Sequence, residues 1–271
     1  MKKQRLDLLL VEKGLSESRN QAQRLIMAGE VLVDGRMVIK PSETFTGEEN
    51  FQLKEQPPFI SRGGEKLAAA LQAFELTALQ GITAADIGAS TGGFTDCLLQ
   101  HGAKKVYAVD VGYGQLHWKL RNDERVVVME KTNIRDLKDL PEKMELVVVD
   151  VSFISLRAIF PHLLMLMKTD GLGLITLIKP QFEAGREEAA RGKGVIRDHA
   201  VHRSVLTSVI EAAQGHGLFL HGLIESPIKG PKGNIEFLAY FKLQPALSSP
   251  DSSIKQLFDT INEKEKRCPD A

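Results

Sequence analysis

The amino-acid sequence predicts an α/β protein, a seven-stranded, doubly wound Rossmann-like sheet preceded by a small N-terminal α+β unit. Three observations carry this. From residue 63 onward, short apolar runs alternate with helical patterns, as strands and crossover helices alternate in a parallel sheet. Several of these runs, such as Leu146-Val147-Val148-Val149, are apolar at every position, which suits strands covered on both faces. The first fifty residues instead carry two short helical patterns and a Val-rich hairpin around Asp34-Gly35.

In the first unit, residues 1–56, Leu6, Leu9 and Leu10 mark a helix ending near Gly14. Ser16 or Ser18 caps a second helix, whose apolar face is Ala22, Leu25 and Ile26 and whose stop is Gly29. Val31 to Ile39 reads as a hairpin, because Asp-Gly tolerates the two positive φ angles of a two-residue turn. The run Glu55-Gln56-Pro57-Pro58 interrupts both helix and strand, and residues 57–62 are read as a linker. Over residues 63–243, strands are expected near 84–88, 105–110, 126–130, 145–150 and 172–178. Helices are expected near 64–74, 93–101, 115–121, 156–167 and 199–214. Residues 217–226 and 235–242 have no helix between them and read as an antiparallel pair, which completes seven strands. Residues 244–271 form a C-terminal tail, a linker over Leu247–Ser253 and then a polar stretch with room for a short helix.

A chain of 271 residues suits one large domain plus a small one. With 43% hydrophobic and 26% charged residues, it can bury an ordinary core and is not globally disordered. Basic and acidic residues balance at 35 each, so only local clustering can point to a nucleic-acid partner. Two cysteines, Cys97 and Cys268, are too few for a disulfide framework or a zinc site, and no metal is expected. The apolar run after Met-Lys-Lys-Gln-Arg is short and interrupted, unlike a signal peptide. The most apolar stretch, 163–178, is broken by Lys168 and Asp170 and falls short of the ~18 apolar residues of a membrane span. The expectation is a soluble, cytoplasmic protein without a membrane partner, a monomer or weak oligomer.

The first large-unit strand runs into the turn Gly88-Ala89-Ser90-Thr91-Gly92-Gly93 and then a helix. Such a turn, at the carboxyl end of the first strand, is where doubly wound sheets bind nucleotide-like ligands, and its glycines admit close backbone approach. Asp110 ends the next strand, 22 residues after Gly88, where a carboxylate can accept both hydroxyls of an adenosine ribose. Val111 and Asn133 join the candidate cofactor set, as does Asp150. The dinucleotide pattern is broken by Ser90, and Phe94 stands where a P-loop needs Lys. A methyl donor, S-adenosylmethionine, fits better than either, and the sheet is then of the class I methyltransferase kind. A tight turn with no ligand is the competing reading.

Lys66, Asp150, Lys179 and Glu236 stand at or near element ends in the large unit. The strands ending at 150 and 179 open on the same sheet edge as the glycine turn. A lysine beside another lysine holds its proton less tightly, and a neutral lysine can take the proton of a sugar hydroxyl. Lys179 is the expected base, with Lys66, Asp150 and Glu236 as orienting groups. Each of these alone reads as a solvated charge; together on one edge they read as a site. After the fourth strand comes Asp150-Val151-Ser152-Phe153, without the prolines usual in amine methylation. Neither cysteine is placed for carbon methylation. Oxygen methylation remains.

These segments resemble the TlyA family. The resemblance lies in Asp86 to Thr95, Asp110 to Leu116, Arg121-Asn122-Asp123, Asp150 to Leu156, Lys179-Pro180-Gln181-Phe182-Glu183, Ser226-Pro227 and Gly233-Asn234-Ile235-Glu236, and it spans nearly the whole chain. It implies an RNA-binding domain of the ribosomal-protein S-four type over Ser18 to Gly35, and a catalytic domain like that of FtsJ methyltransferases. Its Lys-Asp-Lys-Glu tetrad falls on Lys66, Asp150, Lys179 and Glu236. The implied target is a cytidine ribose in large-subunit (23S) ribosomal RNA and, in longer members, also one in small-subunit (16S) RNA; the partners are ribosomal RNA or ribosomal subunits. The family is also called hemolysin-like. Alternatives are an RNA-binding protein with a degenerate methyltransferase domain, or a membrane-active protein.

Residues 1–40 hold eight basic against five acidic residues, and 41–56 is acidic. A basic face with few aromatics suits structured RNA read through phosphate and shape; an ordinary solvated face is the alternative. Arg5, Arg19 and Arg24 are the candidates there. Arg62 in Ser61-Arg62-Gly63-Gly64, and Lys229 and Lys232 ahead of Glu236, are further candidates. The charged stretch Ala184 to Arg197 is expected to be a lid that moves when RNA is absent.

Overall fold

The computed structural model describes residues 3–54, 57–137, 139–185, 188, 191–230 and 232–267, and only the backbone at 264, 265 and 267. Lys2, Glu55, Gln56, Cys268 and part of the 184–197 stretch lie outside the described residues. The chain divides into two compact units, Met1–Pro57 and Pro58–Ala271.

In the first unit, strand β1 (Gln4–Arg5) leads into helix α1 (Leu6–Glu12), and helix α2 (Arg19–Met27) follows. Then come β2 (Val31–Val33), β3 (Arg36–Val38), β4 (Thr44–Phe45) and β5 (Phe51–Leu53). Ser18, not Ser16, caps α2, accepting from the Gln21 amide at 3.3 Å. The β2–β3 hairpin turns on Asp34 and Gly35, at φ 48° and 78°. The sequence reading did not include β1, β4 and β5: β1 pairs with β4, and β5 pairs antiparallel with β2. Leu6, Leu10, Ala22, Ile26 and Val31 close a small core with no exposed surface of their own.

The second unit is built on one seven-stranded sheet. Its strands are β6 (Thr83–Ile87), β7 (Lys105–Val109), β8 (Val126–Met129), β9 (Leu146–Val149), β10 (Gly173–Ile178), β11 (Phe219–Glu225) and β12 (Phe237–Lys242), in the order β11-β12-β10-β9-β6-β7-β8. Only β12 runs antiparallel to its neighbours. Along each strand, successive residues go to opposite faces. Ala85, Ile87, Val147 and Val149 join one core, and Ala84, Leu146 and Val148 the other. Strand β6 pairs with both β7 and β9, so the chain order reverses there and leaves a crevice at the carboxyl ends.

The helices are α3 (Gly63–Ala73), α4 (Gly93–Gln100), α5 (Trp118–Arg121), α6 (Phe160–Leu166), α7 (Pro180–Glu183), α8 (His199–Gly215) and α9 (Pro250–Arg267). The helix expected over 156–167 is split into a 3₁₀ turn at Leu156–Ala158 and α6, with Pro161 in its first turn, where a missing amide costs nothing. The 115–121 helix shortens to α5, capped by His117.

Two segments belong to the second unit more fully than the sequence reading held. Residues 58–62 pack onto it, with Phe59 and Ile60 against its core and the Ile60 amide donating to Asp96 Oδ2 at 2.8 Å. The tail is likewise more than a linker with a short helix. α9 is an 18-residue helix whose Ile254, Leu257, Phe258 and Ile261 are buried in the main core. Among the described residues, no helix is long and apolar enough to cross a membrane.

Candidate functional site

The glycine turn sits in the β6–β9 crevice, and its backbone explains its composition. Gly88 and Gly92 have φ of 88° and 99°, and Ser90 also takes a left-handed φ of 48°. A Cβ at Gly88 would collide with the Asp150 carbonyl, so only glycine lets these two strand ends lie side by side. The Asp150 amide donates to the Ile87 carbonyl at 2.9 Å, which locks that neighbourhood. Asp110, ending β7, accepts from the Ser90 amide at 2.8 Å and from the Gly112 amide at 2.6 Å. Its carboxylate is thereby fixed beside the turn, with lone pairs left over for sugar hydroxyls.

Two clefts meet at the turn and share Gly88, Ser90, Asp150 and Ser152. One, of about 490 Å³, is walled by Ile87, Val109, Ile134 and Ile154 and contains Asp110, Val111 and Asn133. An apolar wall with a fixed carboxylate and close backbone fits the adenosine half of S-adenosylmethionine. The other, of about 290 Å³, holds Lys66, Lys179 and Asp150, with Arg62 and Lys229 at its border. A larger cleft, of about 810 Å³, lies between α9, β11 and the end of α3, and none of these groups lines it.

Within the smaller cleft, each lysine has its own carboxylate. Lys179 Nζ lies 2.5 Å from Asp150 Oδ1 and donates to Ser152 Oγ at 3.0 Å. The Lys179–Asp150 contact is an ion pair by distance, but its angle leaves Asp150 Oδ1 without a well-aligned hydrogen bond. Lys66 Nζ donates to Glu236 Oε2 at 2.5 Å, and both side chains are buried. From sequence, one lysine is expected to act on the other. Here two separate ion pairs take that place, because both ammonium groups find carboxylates at the strand ends. Glu236 lies behind Lys66 and does not line the cleft. Gly230 wraps closely around it, since a Cβ there would overlap Glu236 Oε1.

Three features of the site escaped the sequence reading. Asp86, at the root of the turn, is fully buried; its Oδ2 accepts from Thr95 Oγ1 at 2.6 Å, and its Oδ1 has no hydrogen-bond partner among the described residues. Burial, opposed by the Thr95 hydrogen bond and reinforced by the negative charge of Asp150, pushes this carboxyl up to about 7. Phe153, 91% exposed at φ 65°, stands beside Asp150 on the border of the larger site cleft, its ring 5.0 Å from that of Phe182. Glu183 is buried and bonded to the segment after Asp150. The left-handed Phe153 carries no sequence signal, since a bulky residue rarely adopts that conformation.

The remaining candidates divide. Lys232 lines neither site cleft, and Asn234 holds the neighbouring loop, accepting from the Ile196 amide at 2.9 Å and donating to the Gly194 carbonyl at 2.8 Å. The C-terminal end of the stretch read as a mobile lid is held by these bonds. In the first unit Arg24 is exposed, while Arg5 and Arg19 each reach the fully buried Asp7 at 2.9 Å, and Gln23 donates to it at 2.7 Å. The hydrogen bond from Arg5, with those from Gln23 and Arg19, overcomes burial and holds the Asp7 carboxyl well below the usual carboxylate range.

Residues 59–243 match the model of the FtsJ-like methyltransferase family, and residues 4–50 match that of the S4 domain. YqxC of Bacillus subtilis, whose rRNA methyltransferase name is itself an inference, is 46% identical over 99% of both chains. The 16S/23S rRNA (cytidine-2′-O)-methyltransferase TlyA of Mycobacterium tuberculosis is 42% identical over 89% of this chain and 90% of its own length. A solved structure from Streptococcus thermophilus, named by inference as a hemolysin, superposes with a TM-score of 0.69 at 42% identity, covering 98% of this chain and 99% of that one.

Proposed function

The chain belongs to the TlyA family of FtsJ-like methyltransferases, and from that premise we propose that it methylates the 2′-oxygen of a cytidine ribose in ribosomal RNA, using S-adenosylmethionine. The observation that carries this reading is the convergence of Lys179, Asp150 and Lys66 on one cleft that shares the glycine turn with a second, adenosine-sized cleft.

When bound, S-adenosylmethionine supplies an electrophilic methyl group. Residues Gly88, Ala89, Ser90, Thr91, Gly92 and Gly93 cradle it through backbone, with Asp110, Val111 and Asn133 around its adenosine half. The protein's own task is then to hold a ribose hydroxyl in line and remove its proton. With one ammonium proton released, Lys179 Nζ, held beside Asp150, has a lone pair for the proton of the ribose hydroxyl, whose oxygen would take the methyl group as its bond to the donor's sulfur breaks, leaving S-adenosylhomocysteine. Ser152 fixes the direction of Nζ. Lys66, anchored from behind by Glu236, offers its remaining N–H groups to the ribose oxygen. The exposed ring of Phe153 gives an extruded base an apolar face beside the reacting sugar.

The N-terminal S4 unit holds the RNA through Arg5, Arg19 and Arg24, the first two pre-oriented by Asp7. Arg62 and Lys229 meet phosphates at the cleft, with Lys232 farther out. The substrate is ribosomal RNA or a ribosomal subunit, the large one first, and a cytoplasmic location fits it; the mycobacterial relative's name supports the small subunit as a second target. The test is transfer of labelled methyl from S-adenosylmethionine to purified subunits. Transfer to neither subunit refutes the reading.

A further inference from the structure

Asp150 and Lys179 follow β9 and β10 on separate segments, and the one after β9 has no helical turn before Leu156, whereas Lys179 leads directly into α7. The loop after β9 runs Asp150-Val151-Ser152-Phe153-Ile154-Ser155 before the 3₁₀ turn at Leu156, with Phe153 in a left-handed conformation and almost wholly exposed. Little packing on Phe153 itself fixes where this loop stands relative to Lys179. Lys179 meets Asp150 and Ser152 and the Phe182 ring meets that of Phe153, and one buried carboxylate on the other loop ties down the far end. Glu183 ends α7, four residues after Lys179. Its Oε2 accepts from Ser155 Oγ at 2.6 Å and its Oε1 from the Leu156 amide at 2.7 Å. Arg157 closes the arrangement: Nη2 donates to the Glu183 carbonyl at 2.9 Å, Nε lies 3.4 Å from Oε2, and Nη1 donates to Ser208 Oγ on α8 at 3.1 Å.

We infer that Glu183 is a positioning residue for methyl transfer, a clamp that sets Asp150, Ser152 and Phe153 in register with Lys179. The inference rests on the function proposed above. The carboxylate is only 6% exposed, and both its oxygens are bonded to the loop it would fix. A buried carboxylate whose role was solubility or a surface ion pair has no need of that geometry. Burial also raises its proton affinity despite the Ser155 and Leu156 hydrogen bonds, so the site accepts an unfavourable desolvation to keep this anchor. The clamp does not touch Asp110 or the glycine turn, but the loop it fixes also walls the adenosine cleft at Ile154, so its loss should weaken cofactor binding less than it lowers the rate of transfer.

The test compares wild type with Glu183→Gln and with the milder Ser155→Ala, which removes one bond and keeps the carboxylate. Three quantities are read: kcat for methyl transfer to ribosomal subunits, Kd for S-adenosylmethionine, and amide hydrogen exchange over 151–157. The expected result for Glu183→Gln is a roughly 10- to 100-fold lower kcat, the scale of a misplacement near 1 Å, with a clearly smaller change in cofactor Kd and faster exchange confined to 152–156. Ser155→Ala loses less, in the same direction. A kcat within twofold of wild type in both variants overturns the inference, as does a kcat loss matched by an equal loss of cofactor affinity or of folded protein. Should wild type transfer no methyl at all, the proposed function fails, and exchange alone decides the clamp: unchanged exchange at 152–156 in Glu183→Gln overturns it.

Discussion

Replacing Asp86 by Asn removes a pH-dependent weakness at the root of the glycine turn. The folded carboxyl sits near 7, against an ordinary value of 3.8, because it is fully buried with one oxygen unpaired and with Asp150 and Asp110 adding negative charge. A folded-state value raised in this way means that the native protein binds a proton the unfolded chain has released. The contribution is fully present below about pH 4 and is lost as the pH climbs through 7. At up to about 1.4 kcal/mol per pH unit, with the slope falling off as the folded carboxyl ionises near 7, the wild type loses about 2 kcal/mol between pH 5 and 7 through this group alone. Asn cannot ionise and has no such loss. The assay is urea unfolding at pH 5, 6, 7 and 8, followed by fluorescence of Trp118, the chain's single tryptophan and a residue of the second unit. The stability of Asp86→Asn minus that of wild type should rise by about 2 kcal/mol from pH 5 to 7 and level off above that. The offset at pH 5 is immaterial, since Asn also changes the bond from Thr95. Parallel curves for the two proteins across this range refute the reasoning.

Three other perturbations probe separate parts of the account. Phe153→Gly should stabilise the fold by about 1 kcal/mol, because a left-handed residue gains by losing its Cβ and the exposed ring buries little; the same change should cut kcat/KM for the RNA by more than it alters cofactor Kd, since the ring only borders the adenosine cleft, and equal activity would remove Phe153 from the site. Asp7→Asn should cost on the order of 2 kcal/mol at neutral pH through its lost charged hydrogen bonds. Because the Asp7 carboxyl is held low, wild type keeps this stabilisation above about pH 4 and loses it as the pH falls, so in thermal melts the two proteins should converge in acid and separate above it. Deleting residues 248–271 removes four buried side chains at roughly 2 kcal/mol each, a large part of an ordinary domain's stability; the truncated chain should lose its cooperative melt by circular dichroism, and an unchanged melting temperature would show that α9 is dispensable.

Much of the architecture was legible because it rests on local patterns. Apolar runs such as 146–149, stopped by Asp150 and followed by helical spacing, can only be strands of a covered parallel sheet. The Asp34-Gly35 turn states its backbone geometry directly, while the choice of Ser18 over Ser16 as the cap of α2 is made by the fold. What failed has physical causes. Ile254, Leu257, Phe258 and Ile261 recur at helical spacing, but the Ser-rich run before them and the charges around them hid a face that only the core of the second unit reveals. The break between Leu156 and Phe160 follows from Pro161. The short β1, β4 and β5 owe their existence to partners distant in sequence. At the site, residue types at or near element ends named Lys66, Asp150, Lys179 and Glu236, but which lysine met which carboxylate is a tertiary fact. So are the orphaned oxygen of Asp86 and the two bonds of Glu183.

The central claim is that this cleft deprotonates a ribose hydroxyl with Lys179. Its most direct measurement is transfer of labelled methyl from S-adenosylmethionine to purified ribosomal subunits, with the product nucleoside identified after digestion, for wild type and Lys179→Ala. The account predicts 2′-O-methylcytidine from wild type, and none above background from Lys179→Ala at unchanged cofactor affinity. Methyl found on a base, or full transfer by Lys179→Ala, would contradict it.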